Sequence, residues 1–565
     1  MFAGIAMSTH PFPGLMLRLL LLVACAAMPS IAEAIDPATR QLRERQAQIR
    51  ALEQEQRLRQ WQSRTRPTDA KRATPAPPAH DRCWPIAGAR LVGNQVLSDQ
   101  ALKDVVGPLL RPCMSVADIN DLLKAITARY IRAGYPVTRP YLARLPGSEP
   151  TLEVMIVEGF VESIELAEPT LPLSLRGAFP DLLGEPLHLP ALEQGLDQIN
   201  RLKAFSVSAD LLPGERPGAT RLVIQPDKLG KRWHATVRLD NRASETTGRH
   251  RATLGLALDS PLALNDYLGL SFNTLLPDAK GHSQGAGLYY NVPYGPWSLA
   301  LALNRIDYRA SPDLPARPSG DSRFEGLGVS RMLWRNDKGL LAASARLDHK
   351  RLANRVRGRR TAVQSTRLTV VEAGLEFFWL QGGVWSARLG VSQGLDHLGA
   401  DEAPLKRNAA QPNFRKYRAS LARLDEGSAA LRWRWQSELD LQYSPDSLPA
   451  VEQFALSDDM AVRGFRQRYV AGASGATWRN TLSHPLPLPG QPGIELRVHA
   501  GLDLGWSRFD HGRPSQRLVG STLGLQLTLP GARLRVDHQR ALRARLGDGK
   551  ALEPGFWVME WTLEM

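Results

Sequence analysis

Hydrophobic and polar residues alternate along most of the chain from about Gly230 to the C-terminus. In residues 430–443, Leu431, Trp433, Trp435, Leu439, Leu441 and Tyr443 share one face, while Arg432, Arg434, Gln436, Glu438, Asp440 and Gln442 share the other. In residues 493–506, Ile494, Leu496, Val498, Ala500, Leu502, Leu504 and Trp506 alternate with Glu495, Arg497, His499, Gly501, Asp503 and Gly505. A period of two is that of a β-strand. Aromatic and aliphatic side chains outward with charged ones inward is the pattern of a transmembrane barrel. At roughly 20 residues per strand and connection, these ~335 residues predict about 16 antiparallel strands around a lumen wide enough for water. Closure pairs every backbone N–H and C=O, as lipid demands. The final FWVMEWTLEM places Trp557, Met559, Trp561, Leu563 and Met565 on the lipid face, so the chain is expected to end on its closing strand.

One stretch breaks the alternation. Ala461–Phe465, AVRGF, precedes the small-residue run GASGA and reads as a loop, with an inward-folded segment expected near residues 458–476. An arginine on this loop (Arg463) and an aspartate facing inward from a strand (Asp503) imply a loop tucked into the barrel and clamped there. The alternative is that Arg463 lines a wet loop and Asp503 pairs with another inward arginine such as Arg497.

Upstream, the pattern changes four times. Residues 1–34 hold the one long apolar run, LMLRLLLLVACAAM, followed by Ala32-x-Ala34, the layout of a secretory signal peptide with cleavage after Ala34. The run is too short for a membrane-spanning helix, which needs about 20 residues. Either Met1 or Met16 serves as the start, and Cys25 in a lipoprotein-like box is the alternative fate of this segment. Residues 35–64 are rich in Gln, Arg, Glu and Leu and form a helix by propensity, opened by Asp36-Pro37. Its apolar positions (Leu42, Ile49, Leu52, Leu58, Trp61) are too sparse for a wide dry face, so it is either solvated or lies in a polar place such as a pore. Residues 65–82 are a Pro-rich linker. Residues 83–159 and 160–228 each predict β-α-α-β-β, two tandem copies of one small α+β module. Ser98 and Ser115 are the expected helix caps of the first, and LSLRGAFPDLLG and LPALEQGLDQINRLK the helices of the second. Such modules leave a strand edge free for an extended peptide.

Composition adds limits. Of three cysteines, Cys83 and Cys113 remain after signal removal, in an exported chain, and predict a structural disulfide. A zinc site needs more ligands, and a structural bond is favoured over a catalytic cysteine. No histidine cluster, Ser/His/Asp set or nucleotide motif appears, so no catalytic residue, metal or cofactor is expected and the chain is not read as an enzyme. The net charge of +15 has no basic helix or aromatic-interleaved platform to go with it, so nucleic acid is not an expected partner. A basic lumen wall and basic loops account for it instead.

With Val462-Arg463-Gly464-Phe465 and Gly501-Leu502-Asp503-Leu504-Gly505 in this order, the chain resembles the outer-membrane transporters of two-partner secretion. This is the haemolysin secretion/activation family, within the BamA superfamily. LDNRASETTGRHR at the first barrel hairpin, the PGERPG turn of the second module and the Cys83/Cys113 pair support the resemblance, which spans the whole mature chain. Met565 departs from it, standing where family barrels often carry an aromatic. The resemblance implies periplasmic POTRA modules at 83–159 and 160–228, a barrel at 229–565 in the Gram-negative outer membrane, and a plug helix at 35–64. It further implies pairing of Arg463 with Asp503, porin-like conductance, a monomer, and a partner exoprotein of haemolysin or filamentous-haemagglutinin type that passes through unfolded. A BamA-type assembly factor is the alternative within the same fold. A passive porin is the alternative outside it, though it has no use for two such modules.

Overall fold

The computed structural model describes residues 37–62, 83–144, 150–336, 338–361, 365–402, 410–428, 432–488, 493–509, 514–546 and 551–565. The expected signal peptide, linker and start-codon choice lie outside the described residues, as does Leu431.

Pro37–Gln62 is a single helix. The first module follows as Gly88–Val92, helices Asp99–Val106 and Val116–Arg132, then Arg139–Leu142 and Thr151–Val157. Its sheet places Thr151–Val157 centrally, parallel to Gly88–Val92 and antiparallel to Arg139–Leu142. Both serine caps form: the Ser98 hydroxyl accepts from the Ala101 N–H, and Ser115 and Asp118 make a reciprocal capping box. The helices bury Leu102, Leu122, Ile126 and Tyr130 against Leu152 and Val154. The Tyr130 hydroxyl donates to Glu158 at 2.7 Å, and burial, then Glu158, raises the phenol pKa above its ordinary value. A small extra ribbon pairs Cys83–Pro85 with Cys113–Ser115, and the Cys83–Cys113 disulfide staples it.

The second module repeats the order as Phe160–Leu166, Leu175–Ala178, Leu189–Asn200, Phe205–Pro213 and Ala219–Leu229. Its first helix is shorter than the expected LSLRGAFPDLLG and ends after one turn. Phe179 precedes Pro180 and has left the helical region (φ −127°, ψ 57°), because the proline ring crowds a helical residue before it. In the PGERPG turn, Arg216 and the Glu215 N–H both donate to Glu162, and these bonds hold its carboxyl below the usual carboxylate range.

The rest is one closed antiparallel barrel of seventeen segments, Phe556–Glu564 pairing with Trp233–Asp240 to close it. One segment, Arg359–Arg360, only extends a hairpin beyond Gly339–Val356, which leaves sixteen wall strands. Alternation holds as expected: Leu502, Leu504, Trp557, Met559 and Trp561 are exposed outward, while His499, Asp503 and Asp537 are buried inward. The strand predicted from residue 430 begins at Arg434, because Arg432 adopts a turn conformation (φ 46°). The inward connection is longer than the expected 458–476. It runs from Ser444 to Ala473, and residues 474–476 already belong to Ser474–Leu486.

Tethering a loop with a sequence separation of 30 residues restricts the unfolded chain by about 3 to 4 kcal/mol. Cys113→Ser is therefore expected to lower the urea midpoint at which proteases cut residues 83–159. An unchanged midpoint would mean that the apolar core alone holds the module.

Candidate functional site: a filled lumen and its inward loop

Strand Glu495–Arg508 offers Asp503 to the lumen between two glycines, and those glycines make the recess that the loop occupies. A Cβ on Gly501 would lie 2.4 Å from Arg463 Nη2, and one on Gly505 would lie 2.5 Å from Val462 Cγ2. The next strand, Gln516–Leu529, supplies a third: a Cβ on Gly520 would lie 1.8 Å from the Arg463 carbonyl oxygen. Arg463 enters this recess and grips Asp503 twice, Nε to Oδ2 at 2.7 Å and Nη2 to Oδ1 at 2.6 Å. The Arg463 backbone N–H adds a third bond to Oδ2 at 3.0 Å, and Nη2 also reaches Thr481 Oγ1 at 3.1 Å. With the two residues 3% and 0% exposed, the fork-on-carboxylate geometry is the strong form of an ion pair. Arg497 pairs with Glu495 rather than Asp503.

Around the pair, the other motif residues pack or turn. Gly464 has φ +94° and its N–H donates to Gln539, with the Arg540 backbone against the place where a Cβ would stand. Val462 and Phe465 bury among Leu456, Val470, Leu518 and Ala541. Beyond Phe465, Glu553 collects the N–H groups of Arg466, Gln467 and Arg468 at 2.7, 2.8 and 2.7 Å. The same loop has a second anchor across the lumen. Glu452, 2% exposed, accepts from Lys350 at 2.6 Å and from Lys416.

The helix Pro37–Gln62 lies inside the barrel. Glu44 pairs with Arg251 at 2.7 Å, Glu53 with Arg346 at 2.9 Å, and Arg57 with Glu376. Gln41 donates to Ser283 at 2.6 Å and Gln54 to Ser386 at 3.2 Å. The loop clasps it as well: Arg43 donates to the carbonyls of Ala450 and Val451 and to the Tyr469 hydroxyl. One expectation needs correcting. Sparse as they are, Leu42 and Ile49 find a dry place, buried with Tyr289, Ile306, Phe324 and Leu352 on the inner wall. The lumen wall is mixed rather than uniformly wet.

The second module seals against the same end of the barrel. Arg201, at the end of Leu189–Asn200, donates to Asn291, to the Asn265 carbonyl and to Gln56 of the lumenal helix. Arg335 pairs with Glu193 and Asp197, and Gln198 donates to the Gly295 carbonyl. One guanidinium thus touches module, wall and lumenal helix together.

Of the residues singled out in the sequence, the structure brings Val462, Arg463, Gly464, Phe465, Gly501, Asp503 and Gly505 into one cluster, with Cys83 and Cys113 bonded elsewhere. Gly520, Thr481, Gln539, Glu553, Glu452, Lys350, Lys416 and Arg201 were not anticipated. Only Gly520 carried a signal, since a glycine inside a strand marks a close backbone approach. Among the described residues no group of His, Cys, Asp and Glu has metal-holding geometry.

Residues 218–527 match the haemolysin secretion/activation protein ShlB/FhaC/HecB family, 84–159 the ShlB-type POTRA domain, and 160–213 a POTRA domain. The haemolysin transporter protein HpmB of Proteus mirabilis is 30% identical over 519 residues, 89% of this chain and 90% of that protein. The haemolysin transporter protein ShlB of Serratia marcescens is 34% identical over 443 residues, 77% of this chain and 78% of that protein. The solved structure of CdiB from Escherichia coli superposes with a TM-score of 0.84 at 26% identity, covering 95% of this chain and 100% of that one. The two POTRA modules stand on the periplasmic side and the sixteen-strand barrel spans the outer membrane. The chain belongs to the ShlB/FhaC/HecB family of haemolysin secretion/activation proteins, the outer-membrane transporters of two-partner secretion.

Proposed function

We propose that this chain exports one large exoprotein of the haemolysin or filamentous-haemagglutinin type, with no enzymatic step, and that the lumenal helix is the plug the cargo displaces. The observation that carries the reading is the manner in which the lumen is filled. A passive porin keeps its channel open; here a helix runs through it, held by scattered ion pairs and clasped by a loop that is itself locked to the wall. These pairs are spread singly along the helix and are less deeply buried than Arg463 and Asp503, so they can be exchanged one at a time where a passing chain supplies replacement charges or hydrogen bonds.

Among the described residues, the sheet edges at Gly88–Val92 and Arg139–Leu142 in the first module and at Phe205–Pro213 in the second have no strand beside them, and they accept an extended segment of the cargo by strand addition. An unfolded cargo loses little order in reaching that form before it folds outside. No nucleotide is needed: folding at the surface prevents the chain from sliding back. The protein acts as a monomer, one barrel per cargo chain. The rival reading, a barrel-assembly factor, has no use for a plug held by the loop.

The function is tested by comparing culture supernatants and outer membranes of the native host with and without this gene. Loss of one large secreted or surface protein, with other barrels at normal levels, is the expected result. A general fall in outer-membrane barrels would establish the assembly reading in its place.

Removing one partner of a buried pair strands the other charge at a cost of about 3 to 5 kcal/mol. Arg463→Ala and Asp503→Ala are therefore expected to release the loop while the closed barrel persists, with normal membrane levels and secretion at background. Normal secretion by both variants would contradict this role. Deleting residues 36–64 is expected to raise single-channel conductance in planar bilayers, and a conductance equal to that of the intact protein would mean that the helix does not limit the pore.

A further inference from the structure

The outer surface of the barrel carries a feature that export does not use. Arg305, Arg323, Arg351 and Arg367 stand abreast on four neighbouring strands: Arg305 is registered opposite Arg323, Arg323 opposite Arg351, and Arg351 opposite Arg367. Leu303, Leu327, Leu347 and Val371 lie two or four residues away along the same strands and are exposed outward, so the four guanidiniums point away from the lumen. Arg305 is eight positions beyond Trp297 on strand Trp297–Arg309, about 27 Å along the chain. With the strand tilted, the row falls near the top of an apolar band about 25 Å tall. Trp297 begins the strand at the module end, so the row lies at the extracellular border of the membrane.

Like charges directly opposite on adjacent strands destabilise a sheet unless something neutralises them. The neighbouring carboxylates do little of this. Asp307 pairs with His282 and Asp321 with Arg355, while Asp401 neutralises only Arg367 at one end of the row, leaving the other three guanidiniums. Glu325, one step below Arg323, is registered opposite His349. Among the described residues Arg305 and Arg323 have no carboxylate within ion-pairing distance, and the one bond of the Arg351 guanidinium goes to His349. Beside Arg305, a shallow groove in the outer wall is floored by Gly285 and Ala286 and flanked by Leu254 and Phe272.

We propose that this row binds the phosphates of a multiply acylated glycolipid in the outer leaflet, whose acyl chains lie on the apolar wall and groove beneath. Guanidinium forks suit phosphate oxygens, and cations spaced by one strand separation match a headgroup with more than one phosphate. The site orients the barrel against its lipid and neutralises the repulsion within the row.

The test uses the full chain in detergent micelles, titrated with diphosphoryl lipid A, with monophosphoryl lipid A and with inorganic phosphate. Tighter binding of the diphosphoryl form is expected, with inorganic phosphate failing to displace it at equal concentration. Arg323→Gln/Arg351→Gln is expected to weaken diphosphoryl binding by about tenfold or more and to remove the preference. Arg331→Gln, which alters an arginine stacked on Trp297 at the opposite border, is expected to leave both unchanged. Retained affinity and preference in the double variant, or equal displacement by inorganic phosphate, would overturn the proposal. Heat-modifiable migration reports whether the variant barrel is folded. If it is not, the salt dependence of lipid A binding to the unaltered protein decides, since an arginine–phosphate site must weaken as salt rises and a salt-independent affinity would overturn it.

Discussion

The Arg463–Asp503 pair is the interaction on which the inside of this barrel depends. A segment of some thirty residues, Ser444 to Ala473, has been drawn into the lumen, where it has no sheet of its own beyond one short ribbon, Phe454–Ala455 with Ala471–Gly472. Its position rests on a few side chains. The forked grip on Asp503 is effective because three glycines, Gly501, Gly505 and Gly520, let the loop backbone touch the wall. Deep burial of both partners makes the pair costly to break from either side. Glu452 with its two lysines and Glu553 with three N–H groups hold the ends. The loop so fixed presents the carbonyls and hydroxyl that Arg43 of the lumenal helix uses. A hierarchy results: wall holds loop, loop holds helix.

The two levels differ in strength for a physical reason. Arg463 and Asp503 are sealed from water and coupled by paired, charge-assisted bonds. The helix contacts the wall through dispersed ion pairs and amide-to-hydroxyl bonds in a mixed environment, in which Leu42 and Ile49 are buried among apolar wall residues. Arg201 adds a route by which the second module is linked to the helix, since its guanidinium reaches Gln56 while its stem belongs to the module. The second module is thus joined to the lumenal helix through one guanidinium.

Most of the architecture was legible in the chain because lipid imposes a period of two on every wall strand, and a period is a local property. The paired motif was legible for a related reason: an inward carboxylate between glycines and an arginine in a non-alternating stretch are each visible within a few residues. What was not legible is non-local. Glu452, Lys350 and Lys416 come from three distant segments, and nothing near any one of them marks the meeting. The single-turn helix Leu175–Ala178 was overestimated because the apolar residues around it kept a helical look while Pro180 ended it. The basic excess was assigned to lumen and loops, yet part of it stands on the outer wall, where the row from Arg305 to Arg367 appears only once strand registers are known.

The central claim, that cargo passes only when the helix leaves the lumen, is tested most directly by tethering it. Gln41 of the lumenal helix and Ser283 of the wall touch at 2.6 Å, so Gln41→Cys/Ser283→Cys can be bridged by a short, thiol-reactive bifunctional reagent with a reducible link in intact cells. The account predicts that bridged protein stays in the membrane and secretes nothing, and that reduction restores secretion to the level of the unbridged variant. Undiminished secretion by fully bridged protein would contradict it, and the cargo would then have to travel past a helix that never moves.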